Sequence, residues 1–252
     1  MITKTERSVV FIKRILCLVI TLFDQSVLAC EIPVTSQKAP ITIFTELWPP
    51  YQELDQNDRL SGIATQKITP ILDSNNISYT INVMPWARAL QLAKQTKNSL
   101  IYSISRTTER ESQYHWIYAI DQVRTYLVSL AGRKDMLINK LEDILNYTLI
   151  LKRDDATNNF FLNLGFVPNK NIIFVNDSEH ALRLIAKGRA DFYPMVHASF
   201  QKALETYPEF IEQFELAFEL KPFQVELYLA TDRLSDEAFV SDMKKVFHCT
   251  SK

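Results

Sequence analysis

The fold is decided between residues 41 and 104, ITIFTELWPPYQELDQNDRLSGIATQKITPILDSNNISYTINVMPWARALQLAKQTKNSLIYSI. Ile41 to Thr45 is a run of β-branched and aromatic residues and reads as a strand. Ala64, Ile68, Ile71 and Leu72 then recur at helical spacing and stop near Asn75-Asn76. Tyr79 to Val83 reads as a second strand. Trp86, Ala89, Leu90 and Ala93 follow the i, i+3, i+4, i+7 pattern of a second helix, and Ser99 to Ile104 is a third strand. Strand, helix, strand, helix, strand implies a parallel sheet covered by helices.

Working outward, the pattern restarts. Strands are expected at Tyr126 to Ala131, Tyr147 to Leu151, Ile172 to Val175 and Asp191 to Val196. Helices are expected over Thr157 to Leu164, ending at Gly165, and after an Asp177 or Ser178 cap, ending at Gly188. A restart suggests a second α/β lobe rather than a longer sheet. The tail changes again: Phe223 to Ala230 alternates as a strand, and Ser235 caps a helix with Phe239, Val240, Met243, Val246 and Phe247 on one face. If Cys249 meets Cys30, that tail must pack on the first lobe, and the chain then crosses between lobes twice, near Tyr126 and near Phe223. Two crossing segments make a hinge, and a hinge makes a cleft that can close. The expected division is 1–29 as a signal peptide, 30–125 with 223–252 as lobe 1, and 126–222 as lobe 2.

Composition agrees with a folded chain. Of the 252 residues, 47% are hydrophobic and 23% charged. The net charge is -1 and no basic run occurs, which argues against a nucleic-acid partner. Gly62, Gly132, Gly165 and Gly188 are the only glycines, too scattered for a phosphate-cradling loop. His115, His180, His197 and His248 are widely separated, no HExxH or CxxC occurs, and no cofactor or metal is expected.

The first residues read as an export signal. Lys4, Arg7, Lys13 and Arg14 precede the apolar run Ile15 to Phe23, and Val27-Leu28-Ala29 supplies small residues for cleavage. Nine apolar residues are too few for a membrane-spanning helix, which needs about 20. Export places Cys30 and Cys249 in an oxidising compartment, where they are a candidate disulfide. Lipidation of Cys30 is the rival, with Leu28 sitting where a lipobox prefers a small residue.

Five segments carry a resemblance: Thr45-Glu46-Leu47-Trp48-Pro49-Pro50-Tyr51, Leu60-Ser61-Gly62, Pro85-Trp86-Ala87-Arg88-Ala89, Ser103-Ile104-Ser105-Arg106-Thr107-Thr108-Glu109-Arg110 and Lys187-Gly188-Arg189-Ala190-Asp191. In this order and spacing the chain resembles the family 3 extracellular solute-binding proteins, from about Ile41 to Phe247. The resemblance implies a type II periplasmic binding fold: two α/β lobes, a hinge, and a ligand held between them without chemistry. It places Ser103, Ser105 and Arg110 at the ligand carboxylate, which a guanidinium pairs through two parallel hydrogen bonds. Trp48 falls where the family stacks a ring on the ligand. Tyr51 and Trp86 are either cleft walls or core, and Arg88 is either a second anion contact or a surface charge. Thr157 stands at the start of a second-lobe helix, where family members meet the carboxylate, although Asp154 and Asp155 replace the usual glycine turn. Where amino-acid binders carry an Asp for the ligand amine, this chain has Val196. Glu46 or Asp155 is a substitute, or the ligand lacks an amine.

The expected partner is therefore a small polar, carboxylate-bearing solute, delivered to a permease or a chemoreceptor by a periplasmic monomer. The alternative is an enzyme of the same fold, a cyclohexadienyl-dehydratase-like protein with Glu46 or Asp155 as its acid.

Overall fold

The computed structural model describes residues 39–249. Strand β1 (Ile41–Thr45) leads through the short pair β2 (Glu53–Leu54) and β3 (Leu60–Ser61) into helix α1 (Ile63–Ser74). Strand β4 (Tyr79–Val83), helix α2 (Trp86–Gln95) and strand β5 (Leu100–Arg106) complete the expected unit. β1 pairs in parallel with both β4 and β5. Every residue of β1 except Thr42 is buried, as befits a parallel strand covered on both faces.

A strand of 17 residues, β6 (Tyr114–Leu130), comes next. Then follow β7 (Leu149–Lys152), α3 (Thr157–Leu164), β8 (Ile172–Val175), α4 (Ser178–Ala186), β9 (Tyr193–Val196) and α5 (His197–Thr206). The chain returns through β10 (Phe214–Asp232), 19 residues long, and ends in α6 (Glu237–Cys249). β6 and β10 form one antiparallel ribbon, from Phe214 opposite Leu130 to Asp232 opposite Tyr114. This ribbon joins β5 on one side and β9 on the other, giving the order β4-β1-β5-β10-β6-β9. β7 pairs in parallel with β8 and touches the β9 side through a bridge between Leu149 and Phe192.

The ribbon contributes apolar side chains to four cores. Its Val123 and Leu227 belong to a core with Ile41, Ile68 and Leu100. Leu127 and Leu220 belong to another, with Leu149, Leu151 and Phe161. Its register breaks between Glu219 and Gln224, where Pro222 has no N–H for the ladder. Helix α6 lays Phe239, Val240, Met243, Val246 and Phe247 onto the first core. Phe247 is fully buried, worth about 1.5–3 kcal/mol relative to exposure. The far side of the first sheet is covered by α2, through Trp86, Ala89 and Ala93 against Phe44 and Ile101.

Two expectations differ from the structure. The strands foreseen at 126–131 and 223–230 are halves of β6 and β10, because their other halves are only partly buried and lack a clean apolar alternation. Helix α5 was not foreseen, since His197, Ser199 and Gln201 dilute its buried Phe200 and Ala203 face. Cys249 is disulfide-bonded. Cys30, its expected partner, and the expected signal 1–29 lie outside the described residues. Among the described residues no helix is long and apolar enough to cross a membrane.

Candidate functional site

Strand ends from both halves meet at one point. From the first half come Glu46 and Trp48, just past β1, and Ser105, at the end of β5. The loop that carries Trp48 is tight. The Tyr51 amide donates to the Trp48 carbonyl at 2.8 Å, and the two rings pack with centroids 4.9 Å apart. The Tyr51 hydroxyl donates to Asp121 on β6 at 3.0 Å. Gly62 seals the loop from behind. Its φ is 103°, and a Cβ there would lie 2.7 Å from the carbonyl oxygens of Pro50 and Tyr51.

Ser103 is the irregular residue of β5. Tyr228 opposes Ile104 and Leu229 opposes Tyr102, so Ser103 is the extra residue of a bulge, with φ 61°. Its hydroxyl accepts a hydrogen bond from the buried Gln52 Nε2.

The second half contributes Lys152 at the end of β7, then Asp155 and Thr157 at the start of α3. Lys152 is buried, and its Nζ donates to Glu46 Oε1 at 2.6 Å across the cleft. Asp155 Oδ2 stands 4.0 Å away on its other side, and the ammonium lies 5.5 Å from the Trp48 ring centre. Burial works to lower the Lys152 pKa, but the Glu46 and Asp155 charges outweigh it and leave the ammonium above its ordinary range. Burial drives the Glu46 carboxyl upward, against the pull of Lys152. Asp155 Oδ1 accepts from both the Thr157 amide, at 2.9 Å, and the Thr157 hydroxyl, at 2.7 Å. The first amide of α3 is thus taken by the chain's own carboxylate.

A second cross-cleft contact closes the rim. Arg110 donates to the Asp154 carbonyl at 2.9 Å and to the Ser105 carbonyl at 3.3 Å. Trp86 Nε1 donates to the same Asp154 carbonyl at 3.0 Å. Asp154 holds a left-handed φ of 56°. Burial lowers the pKa of the Arg110 guanidinium from its ordinary value.

Between these contacts lies a cavity of about 40 Å³, lined by Trp48, Ser105, Lys152, Asp155, Thr157 and Tyr193 among others. That is room for a few waters at most, where a drug-sized ligand site measures about 300 Å³ or more. Val196, Met195, Phe223 and Val225 supply its apolar wall.

Of the residues expected at the site, Trp48, Ser105 and Thr157 line this cavity. Glu46 reaches it through Lys152, and Arg110 guards its rim. Ser103 is turned to Gln52 and Tyr51 is buried in the core, while Trp86 packs with Phe44 and Ile101 but sends its Nε1 to the Asp154 carbonyl beside Arg110. Arg88 is exposed on α2. Lys152 was not expected. Its signal was a lone charge closing the apolar run Leu149-Ile150-Leu151, at the carboxyl end of a strand, where such folds place ligands. Among the described residues no cluster could hold a metal ion.

No family model and no curated protein matches the chain. Solved structures do. A histidine kinase sensor domain with similarity to periplasmic binding proteins superposes with a TM-score of 0.72 at 16% identity, covering 85% of this chain and 91% of that one. Holo ArgBP from T. maritima gives 0.69 at 13% identity, over 84% and 90% of the two chains. The arginine-, lysine-, histidine-binding protein ArtJ from Geobacillus stearothermophilus gives 0.69 at 12% identity, over 83% and 88%. The chain has the two-lobed fold of periplasmic-binding-protein-like domains.

Proposed function

We propose, from a binding-protein fold whose cleft gathers polar groups of both lobes, that this chain is an exported receptor for a small carboxylate-bearing solute. The lobes, 30–125 with 223–252 and 126–222, close on the solute and release it unchanged. The observation that carries this reading is the junction itself. Ser105 and Trp48 from one lobe face Lys152, Asp155, Thr157 and Tyr193 from the other around a common cavity. Arg110 and Lys152 stand within it or on its rim as the cations a carboxylate would meet. In the present closed arrangement both are engaged by the protein, so admission of a solute requires the lobes to part or Lys152 to turn aside. Uptake through a permease and presentation to a sensor both fit. One of the similar structures is a kinase sensor domain and another a binding protein.

Turnover has less support. Burial raises the Glu46 pKa as a general acid would need, but its carboxylate is held by Lys152 at 2.6 Å. The test is a thermal-shift screen of amino acids, short peptides and organic acids on the mature chain, followed by calorimetry on any that raise its melting temperature. Arg110→Ala should weaken binding of an acidic solute by about 2 kcal/mol or more, roughly 30-fold, with an unchanged circular dichroism spectrum. Unchanged affinity in that variant removes Arg110 from the site, and no shift with any polar metabolite removes the receptor reading.

A further inference from the structure

The groups around Lys152 Nζ form a recognition set for a primary ammonium. One carboxylate stands at 2.6 Å, a second at 4.0 Å, and an indole face at 5.5 Å. In a receptor cleft such a set would be left open for an incoming amine. Here the protein brings its own. Lys152 is 93% buried, and the space left beside it is about 40 Å³. Larger hollows of 450 Å³ and 290 Å³ adjoin this cavity, sharing Phe223 with it on one side and Trp48 on the other.

We propose that Glu46, Asp155 and Trp48 build an alkylammonium site in the cleft and that Lys152 is its resident, tethered ligand. The proposal rests on the reading of this cleft as the binding site. It has a geometric consequence. Lys152 arrives from the end of β7, while Glu46 and Trp48 belong to the loop after β1, so the tether clasps the two lobes without any solute. It also has a chemical one. An amine-bearing solute must compete with a covalently attached ammonium, whose effective concentration is far above that of any free molecule. A solute without an amine does not compete for that contact.

Removing the tether should vacate the site. Lys152→Ala deletes the alkylammonium arm beyond Cβ, so n-butylammonium, which carries the four-carbon chain of a lysine side chain, is the probe, titrated by calorimetry into the mature variant and the wild type. The variant should bind it saturably. Wild type should bind it at least about tenfold more weakly, as should Glu46→Gln/Lys152→Ala, and the variant should prefer it to n-butanol by a similar factor. A folded Lys152→Ala protein that ignores n-butylammonium overturns the proposal, and so does wild type binding it equally well.

Should that variant fail to fold, reductive methylation of wild type, stripped of solute by unfolding and refolding, decides the matter. Lys152 should stay unmodified while Lys97 and Lys245, 59% and 60% exposed, react. Equal reactivity overturns the tether. The two readings fail separately. Wild type that binds its solute beside a folded variant deaf to butylammonium overturns the resident lysine alone. Absence of any solute in the screen counts against the receptor and leaves the amine titration unaffected.

Discussion

At the scale of single residues, Glu46 and Lys152 dominate. Each is buried, and each is tolerated because the other is there. Glu46→Ala leaves a buried ammonium with only the more distant Asp155 and should cost about 3–5 kcal/mol of unfolding free energy, read by urea denaturation. Glu46→Leu/Lys152→Met should lose far less than the two single losses together, since an apolar pair escapes the desolvation of both charges. Additive losses would show that the two groups are not coupled. The sign of the pH effect follows from Lys152. Its folded pKa is raised, so the stability it confers is fully present below the ordinary lysine value of 10.5 and declines only as pH rises through the higher folded value. The melting-temperature gap between wild type and Lys152→Met should therefore hold steady from neutral pH to about 10 and narrow in more alkaline solution.

Among elements, the loop between β1 and α1 is the one the site depends on. It holds Trp48 by packing on Tyr51, and Tyr51 by its bond to Asp121. Gly62 lets α1 begin against its carbonyls. Gly62→Ala meets both a left-handed φ and two backbone oxygens 2.7 Å from the new Cβ. It should cost about 1–3 kcal/mol, seen as a lower urea midpoint with an unchanged slope. A neutral substitution would mean the loop can shift freely, and Trp48 would then lack a fixed position. The β1-to-β5 unit was legible because each helix repeats its apolar positions at 3.6 and each parallel strand is buried on both faces. Helix α5 was not, because its buried Ser199 looks polar in the sequence, although Phe200 and Ala203 beside it pack in a core with Val128 and Ile150. Ser103 likewise reads as a binding hydroxyl, and only the bulge shows it turned to Gln52.

For the molecule as a whole, the ribbon of β6 and β10 carries the architecture. It contributes to cores in both halves, so these are joined by two strands rather than by one flexible linker. Helix α6 then returns the chain to the first core and ends in the disulfide-bonded Cys249. We expect its partner to be Cys30. Peptide mapping without reductant should recover those two cysteines in one fragment, and a free Cys30 thiol or a lipid on it would refute the pairing.

Most of the strands and helices, and the restart of their pattern after β5, are written in local spacing. Period and capping are properties of neighbours in sequence, and they survive without knowledge of the fold. The occupant of the cleft is another kind of fact. Glu46 and Lys152 stand 106 positions apart. Nothing in either neighbourhood says that one carboxylate will meet that ammonium. Only the docking of two lobes brings the ends of β1 and β7 together, and burial there makes the pair obligatory.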